Sequence, residues 1–163
     1  MFQIGDKVFY PMHGGGLISA IEEKEILGET QLYYILDLIH RRMQVLIPAN
    51  KRARLGIRQI VNRDELDNVF STFHDGETDL TIPTNHRPRR NLEKIRGGDI
   101  VQGAEVIRDL VRINNKKKLG TIEKNMLANV IQLLISEIIL VNEISLEEAS
   151  ILVDQVVNIP PFQ

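Results

Sequence analysis

Residues 10–29 read YPMHGGGLISAIEEKEILGE, and the role given to His13, Gly14, Gly15 and Gly16 decides what the chain can be. In some esterases an HGGG stretch supplies the backbone N–H groups of an oxyanion hole. That use needs a G-x-S-x-G nucleophile turn and a sheet built by strand–helix alternation, and neither occurs here. In a small β protein the same residues read as a tight turn, with Pro11 through Gly16 supplying the turn chemistry. The flanking segments favour the turn. KVFY (7–10), LISAIE (17–22), LYYILDLI (32–39) and MQVLIP (43–48) are rich in β-branched and aromatic residues. LGET (27–30), HRR (40–42) and Pro48-Ala49-Asn50 separate them. Short strands at this spacing predict a small antiparallel barrel. So few residues bury little core, so the barrel is expected to lean on the helix that follows.

That helix starts at NRDELDNVFSTF (62–73), where Asn62 and Glu65 form a capping-box pair. Leu66, Val69, Phe70 and Phe73 make its apolar stripe. HDGETDLTIPTNHRP (74–88) reads as a linker, which puts a boundary near Glu77: residues 1–76 form the barrel with its closing helix, 77–163 a helical domain. LEKIR (92–96) stops at Gly97-Gly98. Asp99 caps a helix carrying Ile100, Ala104, Ile107 and Val111. NNKKKLG (114–120) is a loop. Thr121 caps a long helix with Met126, Val130, Leu133, Leu134, Ile138 and Val141. Ser145 and Glu148 box the last helix, which runs to about Val157 before IPPFQ ends it. The fold class is therefore a small antiparallel β-barrel followed by a compact all-α bundle of about four helices.

With 43% hydrophobic and 26% charged residues, the chain has the make-up of a soluble globular protein. Having no cysteine, it can form neither a disulfide nor a thiolate metal site, which fits a reducing cytoplasm. No basic stretch leads into an apolar core at the N-terminus, so no signal peptide is expected. NVIQLLISEIILVN (129–142) is interrupted by Gln132, Ser136 and Glu137 and reads as a buried helix, not a membrane span. The four histidines are scattered, without carboxylates at metal-ligand spacing, and no phosphate or dinucleotide fingerprint is present. Neither an enzyme nor a cofactor is indicated.

Binding remains. The net charge of −2 hides a segregation: His86 to Lys118 holds ten Lys/Arg against four Asp/Glu, whereas 119–163 holds one Lys against six acids. In HRPRRNLEKIR (86–96), Arg87, Arg89 and Arg90 lead, and Lys94 and Arg96 continue along a short helix. Arg108, Arg112 and Lys116–Lys118 are candidates to extend the patch. Phosphate neutralisation needs such a cluster. No aromatic residue interleaves it, so base stacking is not indicated. The strands YYILDLI and MQVLIP offer a sheet edge for strand addition by a partner protein.

IGDKVFYPMHGGG, AIEEKEILGE, IPANKRARLGIR and NLEKIRGGDIVQGAEVIRDLVRINNKKKLGTIEKNMLANVIQLLISEIILV together resemble the CarD/CdnL family of bacterial transcription regulators, in order and over nearly the whole chain. The N-terminal half also resembles the RNA-polymerase-interacting domain of transcription-repair coupling factors. The resemblance implies a Tudor-like barrel that docks on the lobe of the RNA polymerase β subunit. It implies a helical domain that meets promoter DNA at the upstream edge of the bubble, weakly and largely without sequence preference, and shifts the balance between closed and open complexes. No small-molecule substrate and no membrane enter this picture. Lys24 stands where a polymerase-contacting base is usual, and Leu46, just before Ile47 and Pro48, where a basic residue is frequent; these four are the candidate docking residues. The candidate DNA contacts are Thr84, His86, Arg87, Arg89, Arg90, Lys94 and Arg96. The family's wedge tryptophan is absent, Thr84 or His86 taking its place according to alignment. The alternative function is a polymerase adaptor without DNA contact.

Overall fold

The computed structural model describes residues 1–157. Five strands form one antiparallel sheet: β1 (Lys7–Tyr10), β2 (Gly14–Ile26), β3 (Glu29–Leu38), β4 (Gln44–Pro48) and β5 (Arg58–Gln59), in the order β4-β3-β2-β1-β5. The expected barrel is an open sheet, because its end strands β4 and β5 do not pair with each other. β5 is only two residues long and returns from β4 through a 3-10 turn (Ala49–Lys51), which leaves too little strand to close the ring.

The glycine-rich stretch also differs from expectation. The turn is confined to Pro11–His13, with Met12 at φ 72°, and Gly14, Gly15 and Gly16 are strand residues opposite Tyr10, Phe9 and Val8. At the other end of β2, the turn expected over LGET (27–30) is confined to Leu27 and Gly28, because Glu29 and Thr30 already pair as strand residues. Strand alternation then sorts the side chains. Val8, Ile18, Tyr34, Leu36, Leu38 and Ile47 form a sheet core with Phe2 and Ile57. Phe9, one residue from Val8, points the other way and joins the helical core.

Five helices follow: α1 (Arg63–Thr72), α2 (Arg87–Arg96), α3 (Ile100–Lys116), α4 (Thr121–Asn142) and α5 (Leu146–Val157). The capping box at Asn62 is formed, as is the pair at Ser145 and Glu148. Asp99 accepts from Val101 and Gln102, but Gly120 takes the N-cap place of α4 and Thr121 lies inside the helix. The chain after Val157, including the reading of IPPFQ, lies outside the described residues. Grouped by sequence with the sheet, α1 packs on α3 and α4 instead: Leu66, Val69 and Phe73 share one core with Ile107, Leu110, Leu133 and Ile138. The Val61 N–H donates to Glu137 at 2.9 Å and turns the chain toward α4 just before α1 begins. By length and composition α4 is apolar enough to cross a membrane, yet it is the central helix against which α1, α2, α3, α5 and β2 all pack.

The glycines are explained by that packing. A Cβ on Gly15 would lie 2.9 Å from the Ser136 carbonyl oxygen and 2.8 Å from Leu140 Cδ1. Only a bare strand backbone lets α4 approach this closely, and the Gly15 N–H donates to Ser136 Oγ at 2.9 Å across the gap. Polar ties flank it. Arg58 donates from both terminal nitrogens to the Glu137 carboxylate at 2.8 Å each, and from Nε to the Gly98 carbonyl at 2.9 Å. Its guanidinium stacks 4.6 Å above the Phe9 ring. Lys7 reaches the Leu140 carbonyl at 3.0 Å and Glu143 at 2.8 Å. The sheet and the bundle are thus tied together by charge-assisted bonds, those of Arg58 partly buried and that of Lys7 to Glu143 exposed.

Candidate functional site

Two surfaces carry the residues singled out by sequence. The first is the β3–β4 side of the sheet. Antiparallel pairing sets Lys24 opposite Gln31, Tyr33 opposite Pro48 and Ile35 opposite Leu46. Paired residues share a face, so Lys24, Leu46 and Pro48 lie on one face together with Tyr33 and Ile35. Leu46 is 46% exposed, and Lys24 is half-buried with Glu22 3.5 Å away. Ile47 does not belong to this surface. Its side chain points to the opposite face and sits in the sheet core at 2% exposure, as the period-two alternation of a strand requires. β4 is an edge of the sheet, so one side of its backbone has no strand partner among the described residues.

The second surface is the start of α2. The helix begins at Arg87, five residues before the expected LEKIR, with Pro88 in its first turn where a missing N–H costs nothing. Thr84, His86, Arg89, Arg90 and Arg96 are exposed. Arg89, Arg90 and His86 line an open cleft of about 500 Å³ with Asp79, Thr81, Ile82, Pro83 and Glu93. Thr81 donates to Asp79 from both its hydroxyl and its N–H, and with the Arg90 charge nearby this holds the Asp79 carboxyl below its usual range. Lys94 is half-buried, 3.8 Å from Glu105.

Arg87 stands apart. Its Nε and one terminal nitrogen donate to the two oxygens of Glu123 on α4, each at 2.7 Å, and only 16% of its side chain is exposed. The carboxylate hydrogen bonds raise Arg87 above the ordinary arginine value. The bidentate fork occupies the faces a phosphate would use. Arg87 is therefore a strut that fixes the first turn of α2 against the first turn of α4. Glu123 is 36 residues away, so nothing local in the sequence marks the pair. One residue before Glu123, Ile122 is 72% exposed, an apolar side chain at the same basic end that sequence reasoning missed.

Two more arginines are removed from the patch. Arg108 is buried and donates to Asp109 at 2.9 Å and to the Asp75 carbonyl at 3.0 Å. Arg112 donates to the Gly76 carbonyl at 2.8 Å, and Thr78 donates to Asp109 at 2.7 Å. These bonds strap the 75–78 segment, the start of the stretch read as a linker, to α3. Lys116, Lys117 and Lys118 are exposed. The His13 ring lies tilted against Tyr10, centroids 4.3 Å apart; burial, then the Arg41 charge, holds its imidazole below the usual value. No group of three or more His, Cys, Asp or Glu suited to a metal ion occurs among the described residues.

Comparison with known proteins covers both surfaces. The family described as CarD-like/TRCF RID domain matches residues 2–61, the sheet. The family described as CarD, C-terminal domain matches residues 68–154, the helices. YdeB of Bacillus subtilis (strain 168), a candidate transcription factor by its name, is 45% identical over 138 residues, spanning 85% of this chain and 90% of its own. Among solved structures, the 72-residue N-terminal domain of Myxococcus xanthus CarD aligns at 29% identity and a TM-score of 0.32, over 36% of this chain and 79% of that one.

Proposed function

The chain belongs to the CarD family, and from that premise we propose that it is a transcription regulator that docks on the RNA polymerase β subunit and touches promoter DNA near the upstream edge of the bubble. The observation that carries the reading is the β4 edge. It offers unpaired backbone N–H and C=O groups beside Leu46, Pro48 and Lys24, the arrangement by which a partner strand is added to a sheet. Docking belongs to the Tudor-like sheet of residues 1–61, and DNA contact to the helical part.

Arg89 and Arg90, with His86 and Arg96, meet the phosphates, and Lys116–Lys118 add to the positive field. Arg87 acts one step back, keeping that turn rigid through Glu123. Ile122 is the apolar group presented to the duplex where the chain has no tryptophan. A weak contact suffices, because docking on polymerase raises the local concentration of the basic turn at the promoter. The rigid junction at Gly15 and Glu137 preserves that advantage, since the two surfaces cannot drift apart. A regulator that holds the open complex more tightly than the closed one raises the open population by that difference in affinity. No catalytic step is involved.

The test is binding of the full chain to RNA polymerase core enzyme and to its isolated β lobe, together with open-complex lifetime on one promoter at fixed salt. Wild type is expected to bind both, and Leu46→Glu to bind neither. Absence of wild-type binding to the polymerase would reject the reading. A second reading, a polymerase adaptor without DNA contact, is favoured by one observation: Arg87 is consumed by Glu123 and no aromatic residue stands at the basic turn. Under it, DNA affinity is indifferent to Arg89→Ala and Arg90→Ala.

A further inference from the structure

β2 and β3 run on past the rest of the sheet. β4 pairs with β3 no further than Tyr33↔Pro48, and β1 pairs only with the first residues of β2. The four rows beyond, from Glu23↔Leu32 to Ile26↔Glu29, form a two-stranded arm. At about 3.4 Å per residue the arm projects roughly 14 Å past the β4 edge. Its tip is Ile26-Leu27-Gly28.

Leu27 is the wrong residue for that tip on two separate counts. It is 99% exposed, so it buries nothing in the folded chain. It also sits at φ 53°, with Gly28 at φ 80°, the mirror-image turn that favours Asn-Gly and disfavours a branched apolar side chain. Folding alone gains from neither feature. Ile26 beside it is 41% exposed and, by the register, lies on the same face as Lys24, Leu46 and Pro48. The arm and the row at its base are acidic, with Glu22 at the base and Glu23, Glu25 and Glu29 in the arm against Lys24 alone.

We propose that Leu27 and Ile26 are an apolar plug that enters a pocket on RNA polymerase, and that lysine or arginine residues rim this pocket. The inference rests on the docking reading above and extends it from the β4 edge to the hairpin tip. The apolar tip supplies the buried contact, and the four glutamates supply the match to a basic rim. A residue that costs the fold something and gains only on binding is where stability and function separate, and this is what the experiment reads.

The full-length chain is titrated against RNA polymerase core enzyme, and its thermal midpoint is measured alone. Leu27→Asn supplies the turn's preferred residue. It is expected to raise the midpoint by about 2–4 °C while weakening polymerase binding by about tenfold or more, as for one leucine denied burial. Glu25→Lys is expected to slow association, most at low salt. Leu46→Glu, at the β4 edge, serves as the control. If Leu46→Glu weakens binding and Leu27→Asn leaves it unchanged, the plug is overturned while docking stands. If wild type does not bind, both readings fall. A lowered midpoint in Leu27→Asn overturns the claim that the leucine costs the fold, and faster association of Glu25→Lys overturns the basic rim.

Discussion

Replacing Glu137 with glutamine keeps the shape of a side chain that is 1% exposed and removes its charge. In the native protein the carboxylate accepts three bonds: two from Arg58 at 2.8 Å each and one from the Val61 N–H at 2.9 Å. A carboxamide has one acceptor oxygen, and its NH2 would face a guanidinium that can only donate. One Arg58 donor loses its partner and the partly buried cation loses its counter-charge. Breaking a buried ion pair on one side costs about 3–5 kcal/mol. The Arg58 side chain is 28% exposed, so water recovers part of its solvation and the lower figure, about 3 kcal/mol, is expected. For a chain of this size that lowers the thermal midpoint by roughly 6–12 °C. Urea and thermal unfolding of wild type, Glu137→Gln and the double variant Arg58→Met/Glu137→Leu measure it. The double variant replaces the pair with apolar groups and is expected to lose less than the single one. A single-variant loss below about 1 kcal/mol, or a double variant that loses more than Glu137→Gln, would refute the idea that this pair locks the sheet to the bundle.

Gly15→Ala places a Cβ against the Ser136 carbonyl, and α4 must retreat; a loss of about 1–3 kcal/mol in urea unfolding is expected. Arg89→Ala and Arg90→Ala should each reduce the salt slope of DNA binding by about one unit. Arg87→Ala, by contrast, should leave that slope nearly unchanged and lower the thermal midpoint, because its partner is Glu123. Lys24→Glu should weaken polymerase binding without changing the fold, which circular dichroism and a pull-down check together. His13, held below its ordinary value of 6.5, contributes stability that is complete above that pH and lost as the pH falls through its lower folded value. Stability against pH in His13→Gln is expected to be flatter on the acid side.

Much of this protein is legible in its sequence because the signals are local. Asn62 with Glu65 and Ser145 with Glu148 mark helix starts through bonds spanning three residues. Alternation delivers the strands, apolar spacing delivers the helices, and Gly98 at φ 74° ends α2 where two glycines stand in the sequence. Segregation of charge into a basic stretch and an acidic tail needs no coordinates, and the resemblance to CarD rests on the order of residues alone.

What the tertiary structure decided is which of those groups remain available. HGGG reads as a turn because glycine permits turns, but Gly15 is a strand residue whose missing side chain makes room for Ser136, 121 positions away. Six arginines look equivalent along 87–112, yet Arg87, Arg108 and Arg112 are bound to Glu123, Asp109 and the 75–78 backbone, and Arg89, Arg90 and Arg96 are left facing solvent. Ile47 and Leu46 differ by one residue and by the whole thickness of the sheet. Local pattern sets what a residue can do at its own position. Whether an arginine finds a carboxylate, or a glycine a helix, depends on which distant surfaces packing brings within 3 Å, and that is a property of the assembled cores.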